Sequence, residues 1–156
     1  MKRRVCSVLS LAAFVSLWGC VPMTFSREPA LDFDTYRHAA VVVSMHGIAA
    51  SYDDTSATVY LVSELQAGSG FETVSPGVSD AADLTLHVDV TLTQTVSADG
   101  DQIEYEFASD TRFTAVDRAG NLVDSGETFD SNEFATEAVQ DALDEVALHY
   151  LKPYRL

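Results

Sequence analysis

Hydrophobic and polar positions alternate most regularly in LTLHVDVTLTQTV, residues Leu84 to Val96. Leu84, Leu86, Val88, Val90 and Leu92 fall on one side, and Thr85, His87, Asp89, Thr91 and Thr93 on the other. Strand side chains point alternately to two faces, so this run predicts a strand with one buried and one wet face. Asp99-Gly100 supplies a turn. QIEYEFASDTRFTAV then continues the pattern, setting Ile103, Tyr105, Phe107 and Phe113 against Glu104, Glu106, Asp110 and Arg112. Gly120-Asn121 marks a second turn, followed by a less regular strand from Leu122 to Phe129.

Elsewhere the period changes. HAAVVVSM, His38 to Met45, is apolar on both sides, as an interior strand requires. From about Thr55 to Gln66, Ala57, Leu61 and Leu65 form a helical stripe with Val62 beside it. Asp53, Asp54 and Thr55 offer its N-cap, and Gly68 to Gly70 end it. Phe71 to Val74 is a short candidate strand before the Pro76-Gly77 turn. A second helix is predicted from Asn132 to about Leu151, with Phe134, Ala138, Ala142 and Val146 beside Ala135, Val139, Leu143 and Tyr150. Asp130 to Asn132 are its expected caps, and the aromatic residues, Tyr105, Phe129 and Phe134 among them, are assigned mostly to the core. The order β-α-(β)-β-β-β-α predicts a two-layer α+β fold: a mainly antiparallel sheet of four to five strands with two helices on one face.

The N-terminus follows a different logic. MKRR is a short positive start, and Val5 to Trp18 is an apolar run of 14 residues, the length of a signal peptide. A membrane-spanning helix needs about 20 apolar residues, which this run approaches only by taking in Gly19 and Pro22. The run ends in Leu17-Trp18-Gly19-Cys20. This resembles the bacterial lipobox, with Leu three before the cysteine and a small residue just before it; Trp18 stands where a small or β-branched residue is usual. The resemblance implies thiol alkylation by diacylglycerol, cleavage before Cys20 and palmitate-type acylation of the new amino group. Cys6 lies in the segment to be discarded, so the mature chain would hold a single cysteine and no disulfide. Two or three acyl chains, at about 0.8 kcal/mol per buried CH₂, make a firm anchor. Val21 follows the cysteine, where the family's inner-membrane retention signal is Asp, so the resemblance implies an outer-membrane address, facing the periplasm. The expected organisation is a lipoprotein signal peptide at 1–19, a lipidated tether at 20–37 and one α+β domain at 38–156. The tether's end, through Phe33 and Tyr36, is expected to dock on that domain.

Charge narrows the function classes. Loss of residues 1–19 leaves six Lys and Arg against 24 Asp and Glu, a net charge of −18. Such a surface repels phosphate backbones, which argues against nucleic-acid partners. The closing YLKPYRL is the exception, an aromatic and basic end to an acidic chain that offers a surface for a partner or lipid headgroups.

Candidate chemistry is sparse. His87-x-Asp89 places two ligand-type side chains on one strand face, with Glu104 and Glu106 across the hairpin as candidate third ligands. Ser44 and His46 share a strand face, but no nucleophile elbow accompanies them. No Gly-rich phosphate loop is present, and no cofactor is expected. Beyond the lipobox, AADLTLHVDVTLTQ followed by TRFTAVDRAGNLVDSGETF resembles small Gram-negative envelope lipoproteins, of the curli-secretion and penicillin-binding-protein-activator types. The resemblance implies a non-catalytic envelope accessory that binds another envelope protein or itself, with no functional residues carried over. The alternative is a lipid-anchored periplasmic enzyme, a metal-assisted hydrolase using His87 and Asp89.

Overall fold

A computed structural model describes residues 31–48, 52–99 and 102–151. Its elements run β1 (His38–Gly47), α1 (Asp54–Gly68), β2 (Thr73–Pro76), β3 (Leu84–Asp99), β4 (Gln102–Asp117), β5 (Leu122–Asn132) and α2 (Ala135–His149). The five strands form one sheet in the order β2-β1-β3-β4-β5. β1 lies parallel to both β2 and β3, while the longer β3–β4 and β4–β5 ladders are antiparallel. This is the expected α+β class, realised as a mixed sheet.

The sequence periods explain the layers. Leu84, Leu86, Val88, Val90 and Leu92 are all buried beneath the helices, together with Ala39, Val41 and Val43 of β1. From α1, Ala57, Leu61, Val62 and Leu65 close the layer, and from α2, Ala138, Val139, Ala142, Leu143, Val146 and Ala147. Burying each of the larger aliphatic side chains contributes about 1.5–3 kcal/mol. Asp53 caps α1 as the sequence predicts, its Oδ1 accepting the Ser56 N–H at 2.7 Å. The chain enters along the core: Leu31 is buried, and the Phe33 ring meets Phe71 edge-on at 5.1 Å. Gly126 serves a close approach. It pairs with Phe113 across β4–β5, and an added Cβ would collide with the Phe113 ring.

Two local expectations need correction. Asp130 to Asn132 do not cap α2, because β5 runs on to Asn132, which pairs with Phe107. The helix starts three residues later with Phe134 at the N-cap, without a side-chain acceptor. Asn132 instead braces the junction, donating to Asp141 Oδ2 at 3.1 Å and accepting the Phe134 N–H at 3.3 Å. Nor are all the aromatics core residues. Phe113 and Tyr150 are buried, but Tyr105, Phe129 and Phe134 are exposed, each lying beyond the helices' cover or on the sheet's other side.

Candidate functional site

The helices cover one face of the sheet and leave the other to solvent. Strand register sets the neighbours on that open face. Across β1–β3–β4, Val42, His87 and Thr114 form one row; Ser44, Asp89 and Arg112 the next; His46, Thr91 and Asp110 the third. β5 extends the last two rows with Glu127 and Phe129.

Within this array His46 Nε2 stands 3.4 Å from Asp89 Oδ1, both side chains more than half exposed. Arg112 lies in register between Asp89 and Glu127, with its Nε 3.9 Å from Asp110 Oδ1. Solvated pairs of this kind are worth about 0–1 kcal/mol each, so they organise the surface and add little to stability.

The sequence-predicted pair His87 and Asp89 does share this face, yet the hydrogen-bond partner of Asp89 is His46. Glu104 and Glu106 are not co-ligands. They pair with Ser97 and Thr95, in the part of the hairpin that runs past the other strands. Eight residues separate Glu106 from Thr114, the cross-strand partner of His87, which at ~3.4 Å per residue is about 27 Å. Among the described residues, no group of three His, Cys, Asp or Glu is placed to hold a metal ion. Ser44 and His46 lie on the same face, with Ser44 opposite Asp89. Cys20, with the whole lipobox, and Lys152 to Leu156 of the basic end lie outside the described residues.

Sequence reasoning missed the His46–Asp89 pair because it depends on the parallel register of β1 on β3. The α1 element separates those strands in the sequence, and nothing local fixes how they align. A shallow cleft of about 600 Å³ lies above this end of β1, lined by His46, Tyr52, Asp53 and Asp54 among others. Its carboxylates are engaged in folding: Asp53 caps α1, and Asp54 Oδ1 accepts the Met45 N–H at 2.8 Å.

Two shifted groups meet where the last turn of α2 packs on β5. His149 Nε2 lies 2.8 Å from Asp124 Oδ2, joining the last turn of α2 to β5. Burial works to raise the Asp124 carboxyl, but the hydrogen bond and charge of His149, with the Ser125 N–H, hold it below the ordinary value. Next to it Tyr150 is buried, and that burial, reinforced by the Asp124 charge, pushes its phenol well above the ordinary range. Desolvation, then the 2.9 Å hydrogen bond to Asp144, does the same to Tyr60. Both phenols therefore stay neutral and act as packing groups with a polar tip.

No described helix is long and apolar enough to cross a membrane. No family model matches the chain, and no curated protein matches it. Solved structures do. PelC from Paraburkholderia phytofirmans, a dodecamer, is similar with a TM-score of 0.56 and 20% identity over 80% of this chain and 94% of that one. Protein XCC0632 from Xanthomonas campestris, of family DUF330, is similar with a TM-score of 0.50 and 10% identity over 79% of this chain and 86% of the other. A minor lipoprotein from Acinetobacter baumannii shows 14% identity and a TM-score of 0.46 over 72% of this chain and 87% of its own. At such identities PelC and XCC0632 share the fold of this chain, and the likeness extends no further.

Proposed function

We propose that this chain is a non-catalytic lipoprotein, anchored in the outer membrane through Cys20, that faces the periplasm and works by contact with another envelope protein or with copies of itself. The observation that carries this reading is the open sheet face. His46, His87, Asp89, Arg112 and Glu127 lie on it side by side, spread over four strands. Catalysis needs reactive groups that converge on one protected point, whereas a broad polar face suits a protein contact with a wet interface. The similarly folded PelC is a dodecamer, which supports self-association as the mode of contact.

The test has two parts. Mass spectrometry of the protein taken from membranes is expected to find an N-terminal peptide that begins at acylated Cys20, and Cys20→Ser is expected to release the chain from the membrane fraction. A chain that keeps Met1, or an unmodified Cys20 thiol, would overturn the anchor. Metal analysis of the purified chain tests the absence of catalysis. Stoichiometric metal that disappears in His87→Ala would favour the hydrolase reading instead.

A further inference from the structure

The sheet has two edges, and they are built differently. β2 is a strand of four residues, short and closed by Pro76, which has no N–H to donate. β5 runs for 11 residues, Leu122–Asn132, and pairs only with β4. Past the slip in the ladder between Ala115 and Val116, its register is regular from Asp124 to Asn132. Among the described residues no backbone bond ties its free side to another element.

Side-chain contacts show which backbone groups face outward. The Asp130 carbonyl turns inward, accepting from Ser109 Oγ of β4 at 3.4 Å. The Ser125 and Ser131 N–H groups turn the other way and are taken by the carboxylates of the preceding residues, Asp124 at 2.8 Å and Asp130 at 2.7 Å. Backbone direction alternates along a strand, so Glu127 and Phe129 also present N–H and C=O to the free side. The edge is thus closed at both ends by its own aspartates and open in the middle. At the open stretch Phe129 is 72% exposed on the polar face of the sheet, with Glu127 exposed two residues away on that face. An edge guarded against pairing along its whole length has no reason to carry a bare aromatic ring there.

We propose that this stretch of β5 receives an extended basic segment of another protein, added to the sheet as a further strand with a positive side chain at every third position. The proposal rests on the contact with another envelope protein inferred above and names that partner's chemistry. Outward backbone groups at alternate residues are met by a second extended backbone, the general mode of strand addition. Charge selects its sign. Asp124, Glu127 and Asp130 recur every three residues, and β5 holds no Lys, Arg or His. Their own chain neutralises them only in part: His149 meets Asp124, and Arg112, in register with Glu127, also lies 3.9 Å from Asp110. The β5 of a second copy does not fit. Antiparallel pairing centred on Glu127 sets that residue against itself and Asp124 against Asp130, and like charges placed opposite each other destabilise a strand pair. An antiparallel segment reading Lys-Val-Thr-Lys-Val-Thr-Lys instead places a lysine opposite each of these acids and a valine opposite Phe129.

The test is fluorescence anisotropy of that labelled peptide, blocked at both ends, against the full-length lipoprotein in non-ionic detergent. A second peptide of the same composition has its lysines consecutive, and so carries the same charge without the spacing. A third keeps the spacing but is N-methylated at the residues set opposite Glu127 and Phe129, which removes the donors a strand needs. The first is expected to bind at least tenfold more tightly than either of the others and to slow hydrogen exchange at the Glu127 and Phe129 amides. Glu127→Lys is expected to weaken its binding at least tenfold with unchanged circular dichroism, because that side chain lies in solvent. Equal binding of the spaced and grouped peptides would overturn the edge in favour of diffuse attraction to an acidic surface. Binding that survives N-methylation, or leaves those two amides unprotected, would overturn strand addition. So would a lack of binding at up to about 1 mM peptide. None of these results touches the Cys20 anchor or the absence of catalysis, which mass and metal analysis judge separately.

Discussion

Asp124→Asn probes the junction of α2 with the sheet through a single atom. In the wild type, Asp124 accepts from Ser125 N–H at 2.8 Å through one oxygen and lies 2.8 Å from His149 Nε2 through the other. The Asn side chain keeps the first bond and presents an NH₂ where the second needs an acceptor. A charge-assisted hydrogen bond contributes about 1.5–3 kcal/mol. The His149 side chain is 42% exposed and that of Asp124 24%, so solvent screening brings the expected loss down to about 1 kcal/mol. In a domain of this size that lowers the thermal midpoint by roughly 3–5 °C at pH 6. The pH dependence has a definite sign. The native carboxyl sits below its unfolded value of 3.8, so its contribution is fully present above that pH and is lost as pH falls through the native value. Thermal melts by circular dichroism at pH 6, 4.5 and 3 are expected to show the two proteins converging as acid is added. Equal midpoints at pH 6, or a gap that widens toward pH 3, would refute the assignment of Asp124 as the charged partner.

Three further outcomes follow from the packing and the open face. Gly126→Ala forces a methyl against the Phe113 ring and is expected to cost about 1–3 kcal/mol in urea unfolding. Leu86→Ala opens a cavity at a fully buried position near the start of β3, with an expected loss of about 2–5 kcal/mol by the same measurement. His87→Ala changes only the solvated side of the same strand, so its unfolding midpoint is expected to match the wild type to within about 0.5 kcal/mol.

What the sequence discloses here depends on how local the governing interaction is. The alternation at Leu84–Leu92 and the stripe at Ala57, Leu61 and Leu65 identify their elements because each side chain's fate follows from the period of its own segment. Asp53 was readable as a cap for the same reason, since its acceptor and the Ser56 N–H are three residues apart. The boundary at Asn132 was not. Whether DSNEF continues a strand or begins a helix is decided by Phe107 on the neighbouring strand, and no propensity within the segment reports that pairing. The open face is legible as a polar face, and His87 with Asp89 as its members. Which groups touch is not, because the His46–Asp89 contact needs the β1–β3 register.

The β3–β4 hairpin shows the same limit from the other side. Ile103, Tyr105 and Phe107 were legible as the apolar edge of a strand, and the inference from apolar to buried holds for Phe113 further along the same edge. It fails at Ile103 and Tyr105, past Thr111 and Ser109 on the same side, because burial depends on how far α1, α2 and the flanking strands reach. Periodicity records which side of a strand can be covered; full burial ends at Leu92 and Ser109, Phe107 in the next row is only partly buried, and Ile103 and Tyr105 beyond it are exposed.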